Sequence, residues 1–313
     1  MNTPQVLLLG NGVNLAYSGI SWSDLLKTIS VRNDIPETFD CPMPLKAVLY
    51  TNNDIKSAME NQKHKLFGSL ATVSQTIALQ SILTSGFDEL LTTNYSYELE
   101  MASLGYSVND ERHIKKMAEH TEKVQRVESK YLLHSYNKTV FNEKVNRIWH
   151  IHGEARKPDS MILGHYYYAN LLGRMIQYTT ENENRYEDNA KNKKETVINS
   201  WLDSFILGDV YVIGFSFDFS EFDLWWLLNR KLREKAPHGK VYFFEPYTEG
   251  FNARIELLKL LDVKHIDCNV RMPSKDDSLC TVKYQEFYDK AFRMIRKLMS
   301  ENKYAVRGGK DHV

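Results

Sequence analysis

Two residues of this chain have the type and setting for acid–base and positioning chemistry: Asn94, directly behind Thr92 and Thr93, and His152, followed by Gly153. An imidazole titrates near ~6.5, so it accepts a proton at neutral pH, and the glycine after it leaves room for a reactant. The amide of Asn94 can hold a ribose or an attacking water, although an asparagine at a strand end is equally a turn former. His150 and His152 also form a His-x-His pair. No cysteine or aspartate nearby completes a zinc set and His165 is the one further candidate, so no metal is expected.

Two glycine turns supply the groups that bind phosphate and sugar. The apolar run Leu7, Leu8 and Leu9 stops at Gly10, Asn11, Gly12, Val13 and Asn14. Such a turn lets backbone amides approach a pyrophosphate, yet the third glycine of the dinucleotide fingerprint is replaced by Leu15, so a plain tight turn also explains it. A second run, Val210 to Ile213, ends at Gly214, Phe215 and Ser216, whose amides and hydroxyl suit phosphate or ribose. Ser220 and Asp223 after it stand at capping-box spacing. Glu245 closes another apolar run, where a carboxylate accepts from ribose hydroxyls or simply meets solvent. Trp225 and Trp226 read as core packing.

These residues need strands that end together. Short apolar runs at 6–9, 87–91, 147–151, 210–214, 241–244 and 263–266 alternate with longer helical patterns, which predicts a doubly wound, mostly parallel α/β sheet of Rossmann type with a smaller helical lobe. In such sheets the carboxyl ends of the strands form the ligand crevice. Alternation along 147–151 places His150 and His152 on one face. Residues 109–136 carry Ile114, Met117, Val124, Val127 and Tyr131 at helical spacing and read as one or two exposed helices. Residues 181–195 read as a mobile loop or a polar helix end. Phe287, Ala291, Phe292, Ile295, Leu298 and Met299 mark a last helix packed on the core, with a loose tail at 305–313.

Composition narrows the partners. The 313 residues carry 40 basic and 40 acidic side chains, a net charge of zero, which argues against a nucleic acid partner. Three cysteines, none in a C-x-x-C pair, argue for a reducing compartment. No signal-like or membrane-spanning run is present, so a cytoplasmic protein without membrane contact is expected.

In order and spacing these segments resemble the SIR2-like family: the Gly10 turn with Gly19, Ile20, Ser21 and Trp22 is similar to its first motif, Thr92 to Tyr95 to its T-x-N motif, His152 and Gly153 to its H-G motif, and Gly214 to Ser216 to its G-x-S motif. The likeness implies one SIR2-like unit over residues 1–304, with helical insertions around 31–85, 105–146 and 165–205. Sirtuin deacylases of the family carry a four-cysteine zinc module between the H-G and G-x-S motifs, whereas residues 153–213 contain no cysteine. Ser21 replaces a motif proline, and Ser96 the aspartate that usually follows T-x-N. The resemblance therefore leans toward the bacterial SIR2-like effectors of antiphage defence, which destroy NAD. It implies NAD as substrate, Asn94 and His152 as the catalytic pair, and Gly10, Gly12, Asn14, Trp22, Thr93, Gly214, Ser216 and Glu245 as the binding set. It also implies a homo-oligomer, with a separate ATPase or sensor protein as a further partner. A non-catalytic NAD or ADP-ribose sensor, a lysine deacylase and a purely structural role are the alternative readings.

Overall fold

The computed structural model describes residues 3–17, 21–36, 41–67, 73–105, 111–125, 131–192, 194–273 and 279–308. Among these residues eight strands form one sheet: β1 (Gln5–Leu9), β2 (Glu89–Thr92), β3 (Glu122–Gln125), β4 (Ser135–Phe141), β5 (Lys144–His150), β6 (Asp209–Ile213), β7 (Val241–Glu245) and β8 (Val263–Asp267). Their order is β3-β4-β5-β2-β1-β6-β7-β8. The helices are α1 (Gly12–Leu15), α2 (Trp22–Ile29), α3 (Met43–Tyr50), α4 (Ile55–Phe67), α5 (Val73–Thr84), α6 (Glu98–Ser103), α7 (Glu111–His120), α8 (His165–Lys191), α9 (Trp201–Leu207), α10 (Phe222–Leu232), α11 (Ala253–Leu260) and α12 (Cys280–Gly308).

The strands from β5 to β8 pair in parallel, while β3 and β4 add an antiparallel edge. Counting only the six parallel strands along the chain, their order is 3-2-1-4-5-6, the doubly wound arrangement whose direction of winding reverses between the first and fourth. Here the reversal falls between β1 and β6. Each central strand is buried on both faces, which is why these segments read as unbroken apolar runs. Val6, Leu8, Trp149, Val212 and Phe243 pack under α8, α9 and α10 on one face. Leu7, Leu9, Ile148, Ile213 and Phe244 pack under α5, α6 and α12 on the other. A smaller cluster, Leu25, Leu26, Ile29, Ala47, Ile55, Ala58 and Met59, joins α2, α3 and α4 and packs against Tyr95, Met161 and Leu163.

Three sequence expectations change, and of the two readings of the polar stretch after residue 181 the helix end holds. The 109–136 segment holds one helix, α7, followed by β3 and the lead into β4; Val124 lies on β3, and Val127 lies outside the described residues. The helical spacing arose by chance across a helix–strand junction. The polar stretch after residue 181 continues α8 to Lys191, where Asp203 on α9 accepts from Tyr178, Arg185 and Tyr186. The last helix passes Tyr304 and runs to Gly308. Ser220 and Asp223 form no capping box: the Ser220 hydroxyl donates to Asp218 and the helix begins at Phe222, with Glu221 preceding it, which frees Asp223 for another partner. Capping boxes do open α2, through Ser21 and Asp24, and α9, through Ser200 and Asp203.

Candidate functional site

A cavity of about 450 Å³ opens at the carboxyl ends of the central strands, within the usual size range of small-molecule sites. Asn11 and Gly12 follow β1 into its wall, Thr93 follows β2, His152 follows β5, and Gly214, Phe215 and Ser216 follow β6. Glu245 ends β7 and also lines it. Trp22, Met43, Leu163 and Tyr168 enclose the cavity from the helical lobe and α8, and Tyr284, Phe287 and Tyr288 from α12.

The two glycine turns touch. Gly12 N donates to Gly214 O at 2.8 Å, and Gly10 N donates to Ile213 O at 3.0 Å. A Cβ on Gly10 would stand 2.2 Å from Gly214 O, and Gly214 holds φ +69°, so both sites require glycine. Of the sequence-based binding set, Gly12, Trp22, Thr93, Gly214, Ser216 and Glu245 line the cavity, whereas Gly10 builds the turn beneath it. Gly19 and Ile20 lie outside the described residues. Arg254, which the sequence reading passed over, donates to both the Ser216 carbonyl and the Glu245 carboxylate and ties these two walls together.

Strand β5 ends at His150, and the turn that follows separates the two histidines that alternation had placed together. Gly153 at φ +92° lets Ile162 N donate to His152 O at 2.8 Å; a Cβ there would meet Ser160 O at 2.2 Å. His150 is directed to α6, with Nε2 2.9 Å from Glu100 Oε1 and Nδ1 2.8 Å from Asn94 O. Both of its nitrogens face oxygens, an arrangement that favours the doubly protonated ring. Burial alone would lower its pKa, but the Glu100 charge and hydrogen bond outweigh that and raise it.

His152 instead turns toward α8 and α10. Its Nε2 lies 2.8 Å from Asp223 Oδ2, and its ring meets Tyr168 edge-on at 5.5 Å. Tyr168 donates its hydroxyl to Glu221 Oε2 at 2.8 Å. Burial presses the His152 pKa down, but the charge and hydrogen bond of Asp223, with Glu221 behind, carry it above the ordinary value. Burial pushes the Glu221 carboxyl up to about 7, with the Asp223 and Asp218 charges adding to the rise and His152 opposing it. Asp218, Glu221 and Asp223 were visible in the sequence only as helix-start residues. The acidic run after the Gly214 turn was the available signal; the pairing to His152, 71 residues away, was not.

Asn94 does not line the cavity. It follows Thr93 with its side chain buried, and Nδ2 donates to Glu98 Oε1 at 2.5 Å while Oδ1 has no partner among the described residues. Asn14 reaches the same Glu98 oxygen at 2.8 Å and accepts from Gln75, so it too belongs to this buried network and not to the wall. Burial raises the Glu98 pKa against the hydrogen bonds it receives.

Among the described residues, His152, Glu221 and Asp223 form a group with metal-ligand atoms within 4.8 Å of one another. Asp223 and Glu221 thus join His152, where the sequence reading found no aspartate to complete a set, and the His152 and Asp223 atoms meet at hydrogen-bond distance. Replacing Glu221 tests the electrostatics. A carboxyl with a raised folded-state pKa loses stability as pH rises from its unfolded value to its folded one, and the cost persists above. Glu221→Gln keeps an acceptor for Tyr168 and removes the charge, so its melting temperature should exceed that of the wild type at pH 8 and the advantage should vanish near pH 4. A melting temperature below wild type at pH 8 would contradict this placement.

The doubly wound sheet and the cavity at its reversal point define an α/β protein of Rossmann type with a candidate ligand site. The model of the SIR2-like domain family matches residues 88–268, more than half of the chain, and the chain belongs to that family. The match runs from the approach to β2 to the end of β8 and includes Asn94, His152 and the Gly214 turn. No curated protein matched the chain. Among the described residues no helix is long and apolar enough to cross a membrane.

Proposed function

We propose that the chain is an NAD glycohydrolase that cleaves NAD to nicotinamide and ADP-ribose. The observation that carries the reading is a base-competent histidine, His152, in the wall of the cavity at the β1–β6 reversal that the glycine turns and Glu245 also line. Family membership supports NAD as the ligand. Backbone amides of the Gly12 and Gly214 turns take the pyrophosphate, and Ser216 and Glu245 take ribose hydroxyls. The bond from C1′ to the pyridinium nitrogen breaks with its electron pair leaving on nicotinamide, and the oxocarbenium-like ribosyl centre is attacked by water. His152 accepts the proton that the water, or a ribose hydroxyl in its path, gives up.

The resemblance gives Asn94 the orienting of the ribose or the water, but its side chain is buried in the Glu98 network outside the cavity wall, so the proposal rests on His152. The resemblance of the four motifs extends the reading to a cytoplasmic effector of abortive antiphage defence that works as a homo-oligomer, with a separate ATPase or sensor as trigger.

Chromatography of NAD incubated with the purified chain, in the presence of EDTA, tests the reaction. Equimolar nicotinamide and ADP-ribose are expected, and chelation should leave the rate unchanged. Retention of intact NAD would mark a sensor instead, and an acyl-ADP-ribose formed from an acyl-lysine peptide would mark a deacylase.

A further inference from the structure

We infer that Asp223 is the positioning residue of the site: it holds the proton of His152 on Nε2 and thereby turns Nδ1 into the base that faces the cavity. The role rests on the proposed hydrolysis, but the geometry behind it is independent of substrate.

Asp223 is fully buried in the first turn of α10, and its Oδ1 has no partner among the described residues. Among the described residues its side chain has one hydrogen-bond partner, the imidazole, through Oδ2 at 2.8 Å. A buried carboxylate with half its acceptors empty is poor structural cement, since desolvating it costs more than one hydrogen bond returns. The amino end of α10 offsets part of that cost, because helix N-termini favour negative charge. What the arrangement does achieve is tautomer control. A carboxylate can only accept, so Nε2 must be the protonated nitrogen, and the lone pair of the neutral ring falls on Nδ1. His152 borders the cavity, and Nδ1 has no protein partner among the described residues. The same carboxylate stabilises the imidazolium that forms when Nδ1 takes its proton, which is the role a buried aspartate plays behind a histidine base elsewhere.

Asp223→Asn reverses the logic at constant shape, because its amide can donate to Nε2 and stabilise the tautomer with the proton on Nδ1. Nitrogen-15 NMR of histidine-labelled protein reads this directly, with the His152 signal identified by its loss in His152→Gln. In the wild type the neutral ring should carry its proton on Nε2. In Asp223→Asn the proton should shift to Nδ1 and the ring should titrate at lower pH. NAD turnover should fall on the order of 10³- to 10⁴-fold in kcat, the scale of a wrong-tautomer base, with KM little changed. Melting temperature should hold or rise. A wild-type ring protonated on Nδ1 would overturn the inference even if the variant does not fold. So would an unchanged tautomer and titration in a folded Asp223→Asn. If the wild type does not cleave NAD but shows the Nε2 proton and its loss in the variant, the hydrolase reading falls and the Asp223 pairing stands.

Discussion

His152→Ala is expected to reduce nicotinamide release by 10²-fold or more, with the protein still folded, the scale of losing a positioned general base. The side chain is in the cavity wall, and its contacts to Asp223 and Tyr168 are ones the fold can lose without collapsing the sheet. The cost of the variant is a buried Asp223 without its imidazole, so a modest drop in melting temperature accompanies the kinetic loss. The pH dependence of the wild type carries the same signature. Because the His152 pKa is raised, the base form grows in only above the ordinary histidine value, and the acid limb of kcat should lie above pH ~6.5. A His152→Ala protein that releases nicotinamide at the wild-type rate would remove the imidazole from the reaction.

Gly10→Ala should act on structure and activity together. The added methyl would stand 2.2 Å from Gly214 O and 2.7 Å from Phe215 Cα, backbone atoms with no room to retreat, so the two turns must part. Overpacking of this kind costs typically 1–3 kcal/mol, here with the amides of both turns displaced from the geometry that would hold a pyrophosphate. Calorimetry should show a melting temperature lower by several degrees, and turnover at fixed NAD should fall with a raised KM. An unchanged melting temperature and KM would show that the turns do not need their present spacing.

The strands that carry the cavity were legible because both of their faces are buried. Runs such as Val6 to Leu9 and Val210 to Ile213 have no polar alternation to confuse them, and each ends at a glycine. Strands β3 and β4 were not legible. The Glu122–Gln125 strand is polar and largely exposed, held by pairing with β4 and not by burial of its own side chains. The binding residues at strand ends were readable because the strand order brings those ends together. The contacts that set their chemistry were not, since Asp223 finds His152, and Glu98 gathers both Asn14 and Asn94, only through the folded chain. Asn94 shows the limit: its position after β2 follows from the sequence, but the direction of its amide does not.

The terminal strands of the sheet bear on how copies of the chain can meet. β3 presents Glu122, Lys123 and Gln125, and β8 carries Lys264 and Asp267, with Lys264 paired to Asp262. Ionic side chains on rim strands oppose the laying of a ninth strand alongside, the route by which sheets fuse into fibrils. These edges thus disfavour any association of copies that would extend the sheet.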